Sequence, residues 1–293
     1  MRSKVNWVLD LDIRAFFDSV SKEWLVQFLE HRIGDRRGVR LVQKWLNAGV
    51  LEEGKRTVSE RGTPQGGSAS PLLANVYLHY VFDLWIQGWQ RKVARGEMLV
   101  VRFADDIVVG FQEKAEAERF WGELQERMQK FPLELHPEKT RLLEFGRFAA
   151  ERRQERGEGK PETFDFLGFT HICGQSRNGK FTVLRQTIRQ RMPAKLRAIH
   201  IALRQRMHDP LEEVGQWLRA VVGGHVRYYG VPTNTAALNT FRRQVGRYWH
   251  PILCRRSQHG QVSWERMTRL IRRWLPPARI CHPYPSCRVH VTT

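Results

Sequence analysis

Asp105 and Asp106 stand between two apolar, β-prone runs, Met98-Leu-Val-Val-Arg-Phe103 and Ile107-Val-Val-Gly-Phe111. Two such runs joined through Ala-Asp-Asp predict a hairpin with adjacent carboxylates at its turn. Taken alone, a solvated acidic turn is the plain explanation. A second acidic strand end, Val8-Leu-Asp-Leu-Asp-Ile13, changes the balance. If the two strands pair, Asp12 and Asp105 converge, and packed carboxylates repel unless cations sit between them. Such a cluster is the apparatus of two-metal phosphoryl transfer.

The 293 residues suffice for one large domain or two modest ones with real cores. The net charge of +19 is unevenly placed. Residues 177–293 hold 22 Lys and Arg against 4 Asp and Glu, whereas residues 1–176 are nearly neutral, with 27 against 26. Twenty of those 22 are Arg, which suits bidentate phosphate contact and stacking on bases. Aromatic residues are interleaved: Trp217, Tyr228, Tyr229, Phe241, Tyr248, Trp249, Trp264 and Trp274. A helical domain with an aromatic core explains the aromatics but leaves a one-signed charge excess without a reason. A polyanion does explain it, and nucleic acid fits better than membrane. No apolar run is long enough to span a bilayer, and no signal-peptide pattern is present. Cys173, Cys254, Cys281 and Cys287 form no Cys-x-x-Cys pair and fit a reducing compartment. Cys281-His282 with Cys287 and His290 could be drawn as a zinc site, but the spacing matches no usual finger, and unrelated thiols are the simpler account.

Along the chain, residues 5–13 read as a strand ending at Asp12. Ser21 caps a helix over 22–33, and a second over 36–48 carries Val39, Leu41, Val42, Trp45 and Leu46 on its apolar side. A hairpin is expected around Gly54, then an irregular Gly-rich stretch, Arg61-Gly-Thr-Pro-Gln-Gly-Gly-Ser68. Ser70-Pro71 reads as an N-cap with proline at the first helical position, opening a buried helix to about Val93. After the Asp-Asp hairpin come a helix over 114–130, short strands at 133–136 and 142–145, and an exposed loop over 149–163. A hairpin around Asn178-Gly179 leads to helices at 187–207, 210–229, 234–250 and 262–274. The order implies an α+β, palm-like domain, an antiparallel sheet with helices on one face, over residues 1–176. A basic helical domain follows over 177–293.

Asp12-Ile-Arg-Ala-Phe-Phe-Asp18, Thr63-Pro-Gln-Gly-Gly67, Ser70-Pro-Leu-Leu-Ala-Asn75, Phe103-Ala-Asp-Asp106 and Leu135-His-Pro-Glu-Lys-Thr140 occur in that order. Together they resemble reverse transcriptases, and their spacing is similar to the bacterial group II intron-encoded reverse transcriptase/maturases. Phe164-Asp-Phe-Leu-Gly-Phe169 resembles that family's last palm motif. Gly224-His-Val-Arg-Tyr-Tyr-Gly230 and the Arg-rich tail resemble its thumb and maturase region. The resemblance covers essentially the whole chain. It implies an α-helical thumb/maturase region after a right-hand polymerase palm.

The resemblance also assigns residues. Asp12 and Asp105 would be the principal ligands of two Mg²⁺ ions (Mn²⁺ as a substitute), with Asp106 an auxiliary carboxylate and Ile13 offering a backbone carbonyl. One ion would lower the pKa of the primer 3′-hydroxyl, and the other would hold the triphosphate and stabilise the leaving pyrophosphate. Asp10 shares a strand face with Asp12 and is either a competing ligand or a plain strand-end acid. Phe17 would be the aromatic floor that excludes a ribose 2′-hydroxyl, although the alternative, a core phenylalanine, fits Phe16 at least as well. Asp18 is a turn cap before it is a ligand. Gln65 and Gly66 would face the nucleotide, since glycine lets backbone approach closely and Gln donates and accepts without charge. Lys139 would reach a phosphate or simply be solvated, and His136 and His171 are structural. Candidate RNA contacts are Arg185, Arg189, Arg191, Lys195, Arg227, Tyr228, Arg242, Arg243 and Arg247. Expected partners are group II intron RNA, an RNA template with DNA primer, and dNTPs, in a cytoplasmic ribonucleoprotein.

Two departures bear on activity. The acidic hairpin commonly begins with Tyr, and Phe103 retains the ring without the hydroxyl, which implies tuning. In the family a basic fingers region precedes the first catalytic Asp, whereas Asp12 lies eleven residues from Met1. The sequence therefore reads as lacking most of its fingers, to be supplied, if at all, by a separate polypeptide. No His-rich, cysteine-paired nuclease module follows the tail, so HNH endonuclease activity is not expected. The rival to a polymerase is a fragment or remnant acting only as an RNA-binding splicing cofactor. A metal-dependent nuclease is the third alternative, and the Gly-rich loop argues against it.

Overall fold

The computed structural model describes residues 4–47, 69–176, 178–256 and 261–283, and the backbone of 50–52 and 55–57. Gln65, Gly66, Cys287 and His290 lie outside the described residues. The chain divides into two compact units, Arg2–Glu162 and Thr163–Thr293.

The first unit opens with β1 (Trp7–Leu11), a short α1 (Phe16–Ser19), α2 (Lys22–Arg32) and α3 (Arg36–Asn47). Ser21 caps α2 as expected, its hydroxyl accepting from the Trp24 N–H at 3.3 Å. On α3 only Val39 and Leu46 are buried, and Leu41 and Trp45 are 47% and 50% exposed. At 100° per residue, Val39 and Leu46 share one side, while Leu41 and Trp45 point away from it. The single apolar side expected there is therefore two. A hairpin of β2 (Val50–Glu52) and β3 (Lys55–Thr57) follows.

The long buried helix is α4 (Ser70–Leu78), a π-helical turn (His79–Asp83) and α5 (Leu84–Lys92). Ala69 rather than Ser70 occupies the cap position, and Ser70 is the first, buried helical residue. Then come β4 (Met98–Phe103), β5 (Asp106–Phe111), α6 (Lys114–Gln129), β6 (Arg141–Glu144) and α7 (Ala149–Glu155). The strand expected at 133–136 is present only as a single antiparallel bridge, Ile13 to Leu135.

The sheet order is β4-β5-β1-β6, antiparallel throughout. One face carries Leu9, Leu11, Ile13, Ile107, Val109 and Phe111 into a core shared with Leu25 of α2, Tyr77 and Phe82 of the long helix, and Phe120 and Leu124 of α6. Burial of each such side chain stabilises the fold by about 1.5–3 kcal/mol. Strand alternation puts Val8, Asp10 and Asp12 on the other face.

The loop expected over 149–163 begins instead with α7. Its anchor is Glu144 on β6, which is 4% exposed and ion-paired with Arg156 and, at 4.0 Å, Arg152. Arg153 pairs with Glu158 at 3.4 Å and Glu162 at 3.7 Å. A helix held by charges needs no apolar stripe, which is why periodicity did not reveal it.

The second unit starts with a sheet of β7 (Phe164–Phe166), β8 (Phe169–Gln175) and β9 (Phe181–Thr187). The boundary expected at 176/177 falls at 162/163 because β7 and β8 hydrogen-bond into this sheet. Four helices follow: α8 (Arg191–Gln205), α9 (Leu211–Tyr229), α10 (Thr235–Cys254) and α11 (Trp264–Trp274). Their core includes Ile199, Leu218, Phe241, Trp249, Met267 and Trp274. Gly215 is required where α9 meets α11, since a Cβ there would lie 2.4 Å from the Trp274 ring. Among the described residues no helix is long and apolar enough to cross a membrane.

Candidate active site

Pairing of β1 with β5 brings the two acidic segments to one end of the sheet. Leu11 is opposite Ile107, so Asp12 follows one residue beyond the pair while Asp106 precedes it by one. Asp106 is itself opposite Phe103, and Ala104-Asp105 make the two-residue turn between β4 and β5. Asp12, Asp105 and Asp106 therefore share a sheet end, as the sequence pattern requires.

The segment after α6 fixes Asp12. Its carbonyl accepts from the His136 N–H at 2.8 Å, and the Thr140 hydroxyl lies 3.4 Å from both its N–H and its carbonyl. The Arg14 N–H donates to the Glu134 carbonyl at 2.8 Å. Those two backbone bonds flank the Ile13–Leu135 bridge, a non-hydrogen-bonded antiparallel pair, so the N–H and C=O of Ile13 point the other way, toward the β5 side. Lys139 Nζ stands 3.4 Å from Asp12 Oδ2, and Arg141 stands 3.8 Å from Asp10 Oδ2. Lys139 is thus set on the Asp12 carboxylate, and Asp10 is matched to a cross-strand Arg. Phe16 is buried at 3% exposure while Phe17 is half-buried against it, rings 5.4 Å apart. Phe16 takes the core role and leaves Phe17 the partly open one. Asp18 is exposed on α1, which starts from Ala15 in the left-handed region (φ 43°).

The Asp105 turn is held from beneath. Arg102 grips Asp83 of the π-helical turn through Nε and Nη2, and its Nη1 donates to Asn75 Oδ1 at 2.8 Å and to the Ala104 carbonyl at 3.0 Å. Ala104 lies at φ 55°, a conformation uncommon for a residue with a Cβ. Left-handed alanines thus stand beside both acidic segments, and strain of this kind persists only where the surroundings over-determine it. Arg102 and Asp83 are the supporting residues that spacing alone did not reveal, whereas His136 and Thr140 fall within a quoted motif. Asn75 closing a quoted motif was the available hint. On the carboxylate face, Leu99, Val101 and Phe103 of the edge strand β4 are 53%, 41% and 64% exposed.

Three carboxylates and a carbonyl make a hard, all-oxygen donor set of the kind that takes Mg²⁺. The Lys139 ammonium is a cation already set beside Asp12, at 3.4 Å. Among the described residues no three His, Cys, Asp or Glu side chains converge on one point. Register brings the donors to the same sheet end without gathering them.

A sequence profile of the family described as reverse transcriptase (RNA-dependent DNA polymerase) matches residues 1–171. The chain belongs to this reverse transcriptase family. Its relatives include the group II intron-encoded protein LtrA of Lactococcus lactis subsp. cremoris, 41% identical over 74 residues, which is 25% of this chain and 12% of LtrA. Protein YkfC of Escherichia coli is 28% identical over 209 residues, 61% of this chain and 50% of YkfC. The chain thus spans half or less of the length of these curated relatives. Among solved structures, apo telomerase from Candida tropicalis superposes with a TM-score of 0.49 at 10% identity, over 91% of this chain and 48% of that one. A reverse transcriptase profile over residues 1–171 and a group II intron-encoded relative are what the order of the sequence motifs leads one to expect.

In the second unit the candidate RNA contacts separate into kinds. Arg189, Lys195, Arg227, Arg243 and Arg247 are exposed, the last two a turn apart on α10. Arg185 is half-buried on β9. Tyr228, 53% exposed, donates its hydroxyl to the Leu167 carbonyl at 3.0 Å, and Arg191 and Tyr229 crowd Gly168. That tightens the β7–β8 turn, whose Leu167 and Gly168 lie at φ 48° and 81°. Arg242 is turned inward, donating to the carbonyls of Ile271, Leu275 and Pro276 at 3.0–3.2 Å. It closes the C-terminal end of α11, where a cation is favoured, and burial holds its pKa down. Phe241, Trp249 and Trp274 are core, as the plainer account of the aromatics held. His282, from the drawn zinc group, is 2.6 Å from the Arg227 carbonyl.

Proposed function

We propose that this reverse transcriptase is the RNA-directed DNA polymerase of a group II intron, adding dNTPs to a primer 3′-hydroxyl on an RNA template. The supporting observation is the β1–β5 register, which sets Asp12 against Asp105 and Asp106 at one sheet end. Asp12, Asp105, Asp106 and the Ile13 carbonyl would hold two Mg²⁺ ions, or Mn²⁺ by the same oxygen chemistry. Bound there, the ions would favour the deprotonated 3′-hydroxyl and stabilise the charge of departing pyrophosphate. The protein's own part is to hold those oxygens still, through the Thr140 and His136 contacts to Asp12 and the Arg102 grip on the Asp105 turn. Lys139, now 3.4 Å from Asp12, would exchange that carboxylate for a triphosphate oxygen, and Phe17 would meet the sugar. The palm reading covers the first unit, and the basic second unit, residues 177–293 above all, acts as thumb and maturase region. It binds intron RNA and assists splicing, in a cytoplasmic ribonucleoprotein. Charge is the support for that part, because exposed Arg without acidic partners is a phosphate-binding surface.

The test is primer extension with Mg²⁺ and dNTPs, beside intron RNA binding, for wild type and Asp105→Ala. Extension by wild type only is expected, with RNA affinity changed by less than about tenfold, or about 1.4 kcal/mol. Affinity should fall steeply with salt. Extension that survives Asp105→Ala would sink the assignment of the site. Tight, salt-sensitive RNA binding with no extension by wild type would replace the polymerase by an RNA-binding splicing cofactor.

A further inference from the structure

Helix α3 carries a surface that the polymerase site does not use. Arg36, Arg40 and Lys44 form one row at four-residue spacing, and Arg37, Leu41 and Trp45 form the adjacent row. All six side chains are exposed, Trp45 by 50%. The rise of the helix repeats each row about every 6 Å over a length of about 18 Å. None of the four cations is in an ion pair among the described residues. The helix contains no acidic residue, and the preceding Asp35 uses its carboxylate on the Arg37 N–H at 2.8 Å.

The placement is costly to the helix. Arg36 and Arg37 sit in the first turn, where the helix dipole favours acids. Leu41 and Trp45 add exposed apolar area on the side facing away from Val39 and Leu46. Four cations with no ion-pair partner among the described residues also stand out in a half of the chain that is otherwise nearly neutral.

We infer that the outer face of α3 binds single-stranded RNA, with phosphates along Arg36, Arg40 and Lys44 and a base stacked on Trp45. A charged row beside an aromatic platform is how proteins hold single strands, since every base has a π face. A membrane surface is disfavoured, because Val39 and Leu46 face the protein and only Leu41 and Trp45 are left for lipid, far short of an interfacial helix's apolar face. The inference is independent of the catalytic assignment and adds an RNA surface to the first unit, apart from the basic second unit.

The experiment uses the full chain and a uridine oligonucleotide carrying photoreactive bases. Cross-linking to wild type, mapped by peptide, is expected to mark residues 36–47. Arg40→Gln with Lys44→Gln should lower the dependence of log affinity on log salt by about 1.4, at about 0.7 per phosphate contact on a single strand. Trp45→Ala should weaken binding about tenfold, within the range for one stacked base. The same proteins are tested for co-sedimentation with vesicles of equal parts phosphatidylcholine and phosphatidylserine. Absence of cross-links in 36–47 together with unchanged affinity and salt slope would overturn the inference. So would variants that lose vesicle binding while keeping RNA affinity.

Discussion

Arg102 shows how much of the site depends on one side chain outside the acidic motif. Its guanidinium joins Asp83, Asn75 and the Ala104 carbonyl, so three segments are tied at the turn that presents Asp105. Only a planar fork reaches all three, and Lys, a point charge on a flexible stem, does not. Arg102→Lys is expected to lower kcat/KM for primer extension by about tenfold or more through misplacement of Asp105. Arg102→Met should also destabilise the first unit by about 1–3 kcal/mol by leaving the half-buried Asp83 with only His79, at 3.6 Å, as a partner. Extension by Arg102→Lys equal to wild type would show that the turn holds its shape without the fork. Asp12 and Asp105 were legible from position alone, because β-prone residues and acids follow simple local rules. Arg102 was not, since Asp83 is nineteen positions away and meets it only in the fold.

At the scale of elements, patterning succeeded where one face is apolar and failed where charges or two faces share the task. Strands β1, β4 and β5, the long buried helix and α6 fall close to their expected spans, for they bury one continuous side. Helix α7 escaped because its anchor is the Glu144 carboxylate on β6, paired with Arg156 and Arg152. The Arg156 partnership raises that guanidinium's pKa, chiefly through Glu158 and then Glu144. Glu144→Gln is expected to release α7 locally, with faster tryptic cleavage after Arg152, Arg153 and Arg156 and loss of amide-exchange protection over 149–155. The thermal midpoint of the unit should scarcely move, since α7 adds only Ala149 to the buried set. A large fall in midpoint with unchanged cleavage would assign Glu144 to the core.

For the whole molecule, the two units differ in charge and in their response to acid. In the second unit His225 is 7% exposed and stacked 3.6 Å from Phe241, and its Nε2 has no hydrogen-bond partner among the described residues. Burial, with Lys195 adding to it, pushes its pKa down to about 4. The unfolded chain takes up that proton near the ordinary value of about 6.5, so it binds more protons than the fold between the two values. Stability is therefore fully present above about pH 6.5 and is lost as pH falls toward about 4. His171, also lowered chiefly by burial, acts in the same direction. The drop in thermal midpoint between about pH 7 and about pH 5 should be smaller in His225→Phe than in wild type. Equal drops would place the acid sensitivity elsewhere. Loss of RNA binding in acid should follow unfolding of this unit, not titration of Arg, which stays charged.

Local rules carried the chain far: alternation marked the strands, caps and periodicity most helices, charge counting the basic half, and motif order the family. Those signals act over a few residues or add up over many, so they survive without a fold. Contacts between distant residues decided the rest. The antiparallel register set Asp12 beside Asp106, Thr140 and Lys139 closed on Asp12, and Arg102 tied the Asp105 turn to the π-helical segment. The fold also turned Arg242 inward and Trp45 outward, against what residue type alone suggests. Side-chain direction depends on which face of an element the core occupies, and that is settled only when the elements pack.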